Sequence, residues 1–178
     1  NGARLGVGFE CLGLAEAAYR LAKDYCAERP SMGKTIDKHE MIADYLDEMR
    51  TDIQAIRAIA VRGAEAEEIA QKLRIRLKLS PPASDMERKR MEREEKKLSR
   101  LARRITPLLK YFASEKAVEI GRRALQLHGG NGYTTEYGAE KLLRDAVVMP
   151  IYEGTSQIQS LMAMKDTLMG IMKNPQAF

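Results

Sequence analysis

Apolar residues recur along this chain at helical spacing, in one run after another. Leu5, Phe9, Leu12, Ala15, Tyr19, Ala22 and Cys26 form the first stripe. It stops at Arg29-Pro30, where the residue before a proline is pushed out of the α region. A short loop, Ser31-Met32-Gly33-Lys34-Thr35, follows. Asp37-x-x-Glu40 then has the form of a capping box and predicts a second helix with the stripe Ile42, Leu46, Met49, Ile53, Ile56 and Ala60. Thr106-Pro107 predicts an N-cap and a first-turn proline for a third core helix, whose stripe is Leu109, Phe112, Ala113, Ala117, Ile120, Ala124 and Leu127. Gly129-Gly130 ends it. The loop from Asn131 to Thr135 leads to a short helix over 139–145, and Pro150 marks a further break. Thr155 or Ser156 then caps a last helix, with Ile158, Leu161, Met162, Leu168, Met169 and Met172 as its expected buried face. No stretch alternates with period two for long enough to predict a sheet. The expected fold class is all-α, an antiparallel four-helix bundle forming one domain over 1–178.

One segment departs from this pattern. Beyond Gly63 the apolar stripe thins, Pro81-Pro82 forces a break, and Ser84-x-x-Glu87 opens another helix. Fourteen of the twenty residues from Asp85 to Arg104 are charged, leaving Met91, Leu98, Leu101 and Ile105 as a narrow seam. Residues 64–105 therefore read as a charged helical insertion, an arm solvated by mixed-sign pairs along its helices. Nucleic-acid binding by this arm is disfavoured, because acids interleave with the bases and no aromatic side chain is there to stack on bases.

Composition narrows the function classes. An apolar content of 44% over 178 residues suffices for a real core. Cys11 and Cys26 stand fifteen residues apart on one helix, without a C-x-x-C pair or a His cluster, so neither a disulfide framework nor a metal site is expected. No apolar run reaches the ~20 residues of a membrane span. A soluble protein of a reducing compartment is expected: cytoplasmic, or of the mitochondrial matrix in a eukaryote. The net charge of +5 would suit an anionic ligand, but it is a small surplus of 30 basic over 25 acidic residues. The chain opens on Asn1-Gly2-Ala3-Arg4 without an initiator methionine, and the expectation is a piece of a longer protein.

Three stretches in fixed order carry a family resemblance: Arg4-Leu5-Gly6 through Glu28-Arg29-x-x-x-Gly33-Lys34; Leu127-His128-Gly129-Gly130-Asn131-Gly132-Tyr133 with Leu143-Arg144-Asp145; and Ile151-Tyr152-Glu153-Gly154-Thr155-Ser156-Gln157-Ile158-Gln159. Together they resemble the C-terminal α-helical domain of the acyl-CoA dehydrogenases. The resemblance implies that Glu153 takes the α-proton of an acyl-CoA thioester while a hydride leaves the β-carbon for FAD. Desolvation by substrate would strengthen such a carboxylate as a base. The Glu153 backbone N–H would help hold the thioester carbonyl. Some members carry their base on the first helix beside the position of Arg4, but that neighbour here is Ala3.

The resemblance further implies that Arg29 and Ser31 bind the FAD pyrophosphate, and that Gln126 and Gly130 meet the FAD of a neighbouring subunit. Thr155 and Gln157 would touch the flavin, and Asn1, Arg4, Tyr152 and Gly154 would line the substrate side. Without it, Glu153 and Arg29 would read as ordinary helix-terminal charges and Thr155 as an N-cap. Implied partners are acyl-CoA, an electron-transferring flavoprotein and further copies in a homodimer or homotetramer. The domain alone would bind FAD weakly and show no turnover. Met32 stands where relatives carry an aromatic residue, Glu40 stands where an amide is common, and the tail from Gly170 to Pro175 lacks the family's usual ending. Two other readings stay open: an acyl-CoA oxidase domain, and a non-catalytic helical module that assembles with a partner such as nucleic acid.

Overall fold

The computed structural model describes residues 2–173. Helix α1 spans Gly2–Glu28, α2 Glu40–Leu79, α3 Asp85–His128, α4 Ala139–Val147 and α5 Ser156–Lys173. α3 is the hub, packing against each of the other four. The cross-helix pairs fix the directions. Arg57–Glu16 and Gly63 beside Leu5 set α2 antiparallel to α1, Lys116–Asp52 and Arg74–Glu95 set it antiparallel to α3, and Arg103–Asp166 with Lys110–Gly154 set α5 antiparallel to α3. The architecture is an antiparallel helix bundle.

Small residues let the helices approach closely. Ala15, Ala18, Ala22 and Cys26 of α1 pack with Met49, Ile53, Ile120, Ala124 and Leu127, while Val7 and Cys11 pack with Ile56, Ala60, Leu109, Ala113 and Ala117. At Gly8 a Cβ would stand 2.6 Å from the Leu109 side chain, so α1 and α3 meet there only because the position is glycine. Residues 64–105 form the distal halves of α2 and α3. Ala66, Ala70, Met91 and Ala102 are buried in that hairpin, and Arg74 donates across it to Glu95 and Ser99.

The structure corrects four local expectations. The Asp37 capping box does not form: Ile36–Lys38 is a 3-10 turn, the residue before α2 is His39, and the Asp37 carboxylate takes the Thr35 hydroxyl at 2.5 Å. The loop after Pro30 is a small antiparallel ribbon, Pro30–Ser31 against Lys34–Thr35, turned by Met32 and Gly33 at positive φ. Its two-residue strands are too short to show a period.

Thr106-Pro107 opens no helix, since α3 runs unbroken through both. The Thr106 hydroxyl instead donates to the Ala102 carbonyl one turn back, at 2.7 Å. An internal proline costs about 3 kcal/mol. Packing on both sides of it, with Pro107 itself buried, holds α3 together.

The fourth correction concerns α5. Ile158, Leu161, Leu168, Met169 and Met172 are exposed, not buried, and Met162 is half-buried. α5 presents Gln159, Ala163 and Asp166 to α3 instead, because Gln159 bonds the loop before the helix and Asp166 pairs with Arg103.

Candidate active site

The loop between α4 and α5 turns on two consecutive left-handed residues, Glu153 at φ 56° and Gly154 at φ 97°. A side chain at Gly154 would collide with the Gln159 amide, so glycine is required there for space as well as for φ. Ser156 N–H closes the loop on the Pro150 carbonyl at 3.0 Å. Thr155 caps α5 with its hydroxyl oxygen, 3.5 Å from the Ile158 N–H, and the expected cap is thereby found.

Three side chains from three helices hold this turn by its carbonyls. Arg4 of α1 donates to Glu153 O at 3.3 Å, and Gln159 of α5 donates to Glu153 O at 3.1 Å and Gly154 O at 3.3 Å. Lys110 of α3 donates to Gly154 O at 2.8 Å. With both carbonyls fastened inward, Glu153 stays exposed at the head of α5. Tyr152 donates its hydroxyl to Glu10 of α1 at 2.5 Å, and its ring lies 6.0 Å from Lys110 Nζ. Burial, reinforced by the bond to Glu10, pushes the Tyr152 phenol above its ordinary range. Burial pushes the Lys110 ammonium below its own. An exposed carboxylate on a turn whose carbonyls two cationic side chains hold has the chemistry for proton transfer with a carbonyl substrate.

Of the residues expected at this site, Arg4, Tyr152, Glu153, Gly154 and Thr155 come together, and Gln157 is exposed on the first turn of α5. Asn1 lies outside the described residues. Lys110, Glu10 and Gln159 went unforeseen. Lys110 had left a signal, since it falls on the row Thr106, Lys110, Ala113, Ala117 that otherwise builds the core of α3.

A second cluster lies at the other end of α1. Arg29, Ser31, Gln126 and Gly130 line one groove with Tyr25, His128 and Asn131. Gly129, at φ 60°, ends α3 and turns the chain into the groove wall. Tyr25 stacks on the His128 ring at 4.3 Å, and the Asn131 amide donates to the Tyr25 hydroxyl at 3.0 Å. His128 Nδ1 faces the Ala124 carbonyl at 2.7 Å, and its Nε2 is buried without a hydrogen-bond partner among the described residues. Arg29 is exposed and enters no ion pair among the described residues. An unpaired guanidinium beside a hydroxyl, an amide and bare glycine backbone fits a phosphate-bearing ligand such as the pyrophosphate of FAD. Arg4 and Arg29 are about 37 Å apart along α1 at the helical rise. The two clusters are thus separate.

Comparison with known proteins places this arrangement in a class. The model of the acyl-CoA dehydrogenase C-terminal domain matches residues 1–80 and 86–168. The chain belongs to that family. It is 33% identical over 170 residues to an acyl-CoA dehydrogenase of Bacillus subtilis, covering 96% of this chain and 37% of that protein. It is 31% identical over 165 residues to a 3-(aryl)acrylate reductase of Clostridium sporogenes, covering 93% and 36%. Among solved structures, butyryl-CoA dehydrogenase from Megasphaera elsdenii superposes with a TM-score of 0.71 at 28% identity, over 94% of this chain and 36% of that one. The chain spans little more than a third of the length of these relatives. Among the described residues, no helix is long and apolar enough to cross a membrane.

Proposed function

We propose that this chain is the C-terminal helical domain of an FAD-dependent acyl-CoA dehydrogenase, with Glu153 as the base. The observation that carries the reading is the turn itself, which three helices clamp by its carbonyls while Glu153 stays exposed. The Glu153 carboxylate takes the α-proton of the thioester, and the electron pair of that C–H bond becomes the new α,β double bond as the β-carbon gives up hydride. Bound FAD supplies the acceptor for that hydride. Tyr152 and Gly154 flank the reacting carbons, Arg4 anchors the turn, and the Glu153 N–H serves as a donor to the thioester carbonyl. Thr155 and Gln157 border the flavin.

Arg29, Ser31, Gln126 and Gly130 hold the phosphate-bearing half of FAD. As the family resemblance implies for Gln126 and Gly130, the flavin this groove meets is one bound mainly by a second copy. Self-association into a dimer or tetramer is therefore part of the proposal, and the uncovered apolar row of α5 supports it. Electrons leave to an electron-transferring flavoprotein, and the domain alone binds FAD weakly and turns nothing over. We place the protein in the cytoplasm or the mitochondrial matrix.

A second reading is favoured by relatives named 3-(aryl)acrylate reductase and acryloyl-CoA reductase. The same residues serve the reverse reaction, with protonated Glu153 returning a proton to the α-carbon. Anaerobic mixing of the full FAD-loaded polypeptide with saturated acyl-CoA thioesters of graded length tests the forward reading. Bleaching of the flavin absorbance with one of them is expected. Flavin that stays oxidised with all of them overturns it.

A further inference from the structure

We propose that Lys110 is the positioning residue of the Glu153 turn, a role that rests on the reading of Glu153 as the base. Lys110 is fully buried, with 0% of its surface exposed, on the core row of α3. Burying an ammonium is costly unless it is paired and hydrogen-bonded. Its hydrogen bond goes to the Gly154 carbonyl, 44 residues on, at 2.8 Å.

That carbonyl also accepts from Gln159, at 3.3 Å. Of the two donors, Lys110 makes the shorter bond and brings the charge, which strengthens it. The charged groups that act on Lys110 are Glu115 from α3 itself, Arg4 from α1 and Glu153 from the turn, while Cys11 of α1 is a thiol that burial pushes up to about 12 and Gln159 of α5 carries no charge. Glu10 and Tyr152 lie beside them, bonded to each other. Of the carboxylates named, Glu153 adjoins the carbonyl that Lys110 holds. The buried ammonium therefore pins the left-handed pair Glu153-Gly154 by its carbonyl, and so fixes where the Glu153 carboxylate stands.

The test uses the full FAD-loaded polypeptide with Lys110→Met, Lys110→Gln and Glu153→Gln. Lys110→Met is expected to keep FAD, to lower kcat about 10- to 100-fold through misplacement of the base, and to leave KM little changed. Amide hydrogens in the 150–158 peptide should exchange faster. Lys110→Gln keeps a donor at the same place, so it should restore slow exchange and most of kcat.

Unchanged exchange of the 150–158 peptide in Lys110→Met overturns the proposal even if kcat falls, and so does a rise in KM that matches the fall in kcat. If Lys110→Met fails to hold FAD, Lys110→Gln decides: slow exchange with kcat near wild type is expected, and loss of both overturns the proposal. Glu153→Gln separates the two readings. Turnover that survives it overturns the assignment of the base, whereas loss of turnover there beside a wild-type Lys110→Met overturns only the role of Lys110.

Discussion

The Tyr152 hydroxyl donates to the Glu10 carboxylate at 2.5 Å, tying the loop before α5 to the first helix across 142 residues of chain. Arg4 to the Glu153 carbonyl is a second direct tie between that loop and α1. The site therefore depends on α1 staying docked.

Tyr152→Phe removes the tie while keeping the ring, and it should destabilise the fold by about 1–2 kcal/mol in urea denaturation at neutral pH. The pH dependence follows from the raised phenol. Burial first, and the Glu10 bond second, lift the folded-state value above the ordinary 10.0. The stability this group lends is complete below about pH 10, the unfolded value, and is lost as pH rises through the folded one. The gap in unfolding free energy between wild type and Tyr152→Phe should accordingly narrow above pH 10. A gap of constant size would contradict the bond.

At Gly154, alanine meets both the positive φ and the Gln159 amide. The expected cost of Gly154→Ala is about 1–3 kcal/mol. Chemical denaturation measures it, and a neutral result would show that the turn is not held as described.

Arg29→Ala should separate binding from folding. Arg29 is exposed and unpaired among the described residues, so its loss should change stability by no more than about 0.5 kcal/mol. FAD retained by the full polypeptide after gel filtration, read from the ratio of flavin to protein absorbance, should nonetheless fall. Undiminished flavin would remove Arg29 from the cofactor site.

Much of the bundle can be read from residue order. Ala15, Ala22, Met49, Ile53, Ala113 and Ala117 repeat at the helical period and are buried as that period demands, and Pro30 and Gly129 end helices by their own backbone chemistry. The misreadings arose where tertiary packing overrode a local signal. Thr106-Pro107 has the local form of a helix start, yet packing along the whole of α3 carries the helix through it. α5 has an apolar row and a mixed row, and two long-range polar contacts, Gln159 to the turn and Asp166 to Arg103, select the mixed one for burial.

The site divides in the same way. Glu153 and its neighbours are contiguous in sequence and could be found there by resemblance. Glu10 and Lys110 lie 142 and 44 residues from their bonding partners, and only the fold brings them in.

Exchange of the thioester α-proton tests the role of Glu153 most directly, because it reports the base without requiring flavin reduction. In D2O, the full FAD-loaded polypeptide should wash deuterium into the α-carbon of an acyl-CoA that has no β-hydrogen, followed by proton NMR. Glu153→Gln, with FAD still bound, should slow that exchange about 100- to 10,000-fold. Exchange at the wild-type rate in the variant would contradict the assignment of the base.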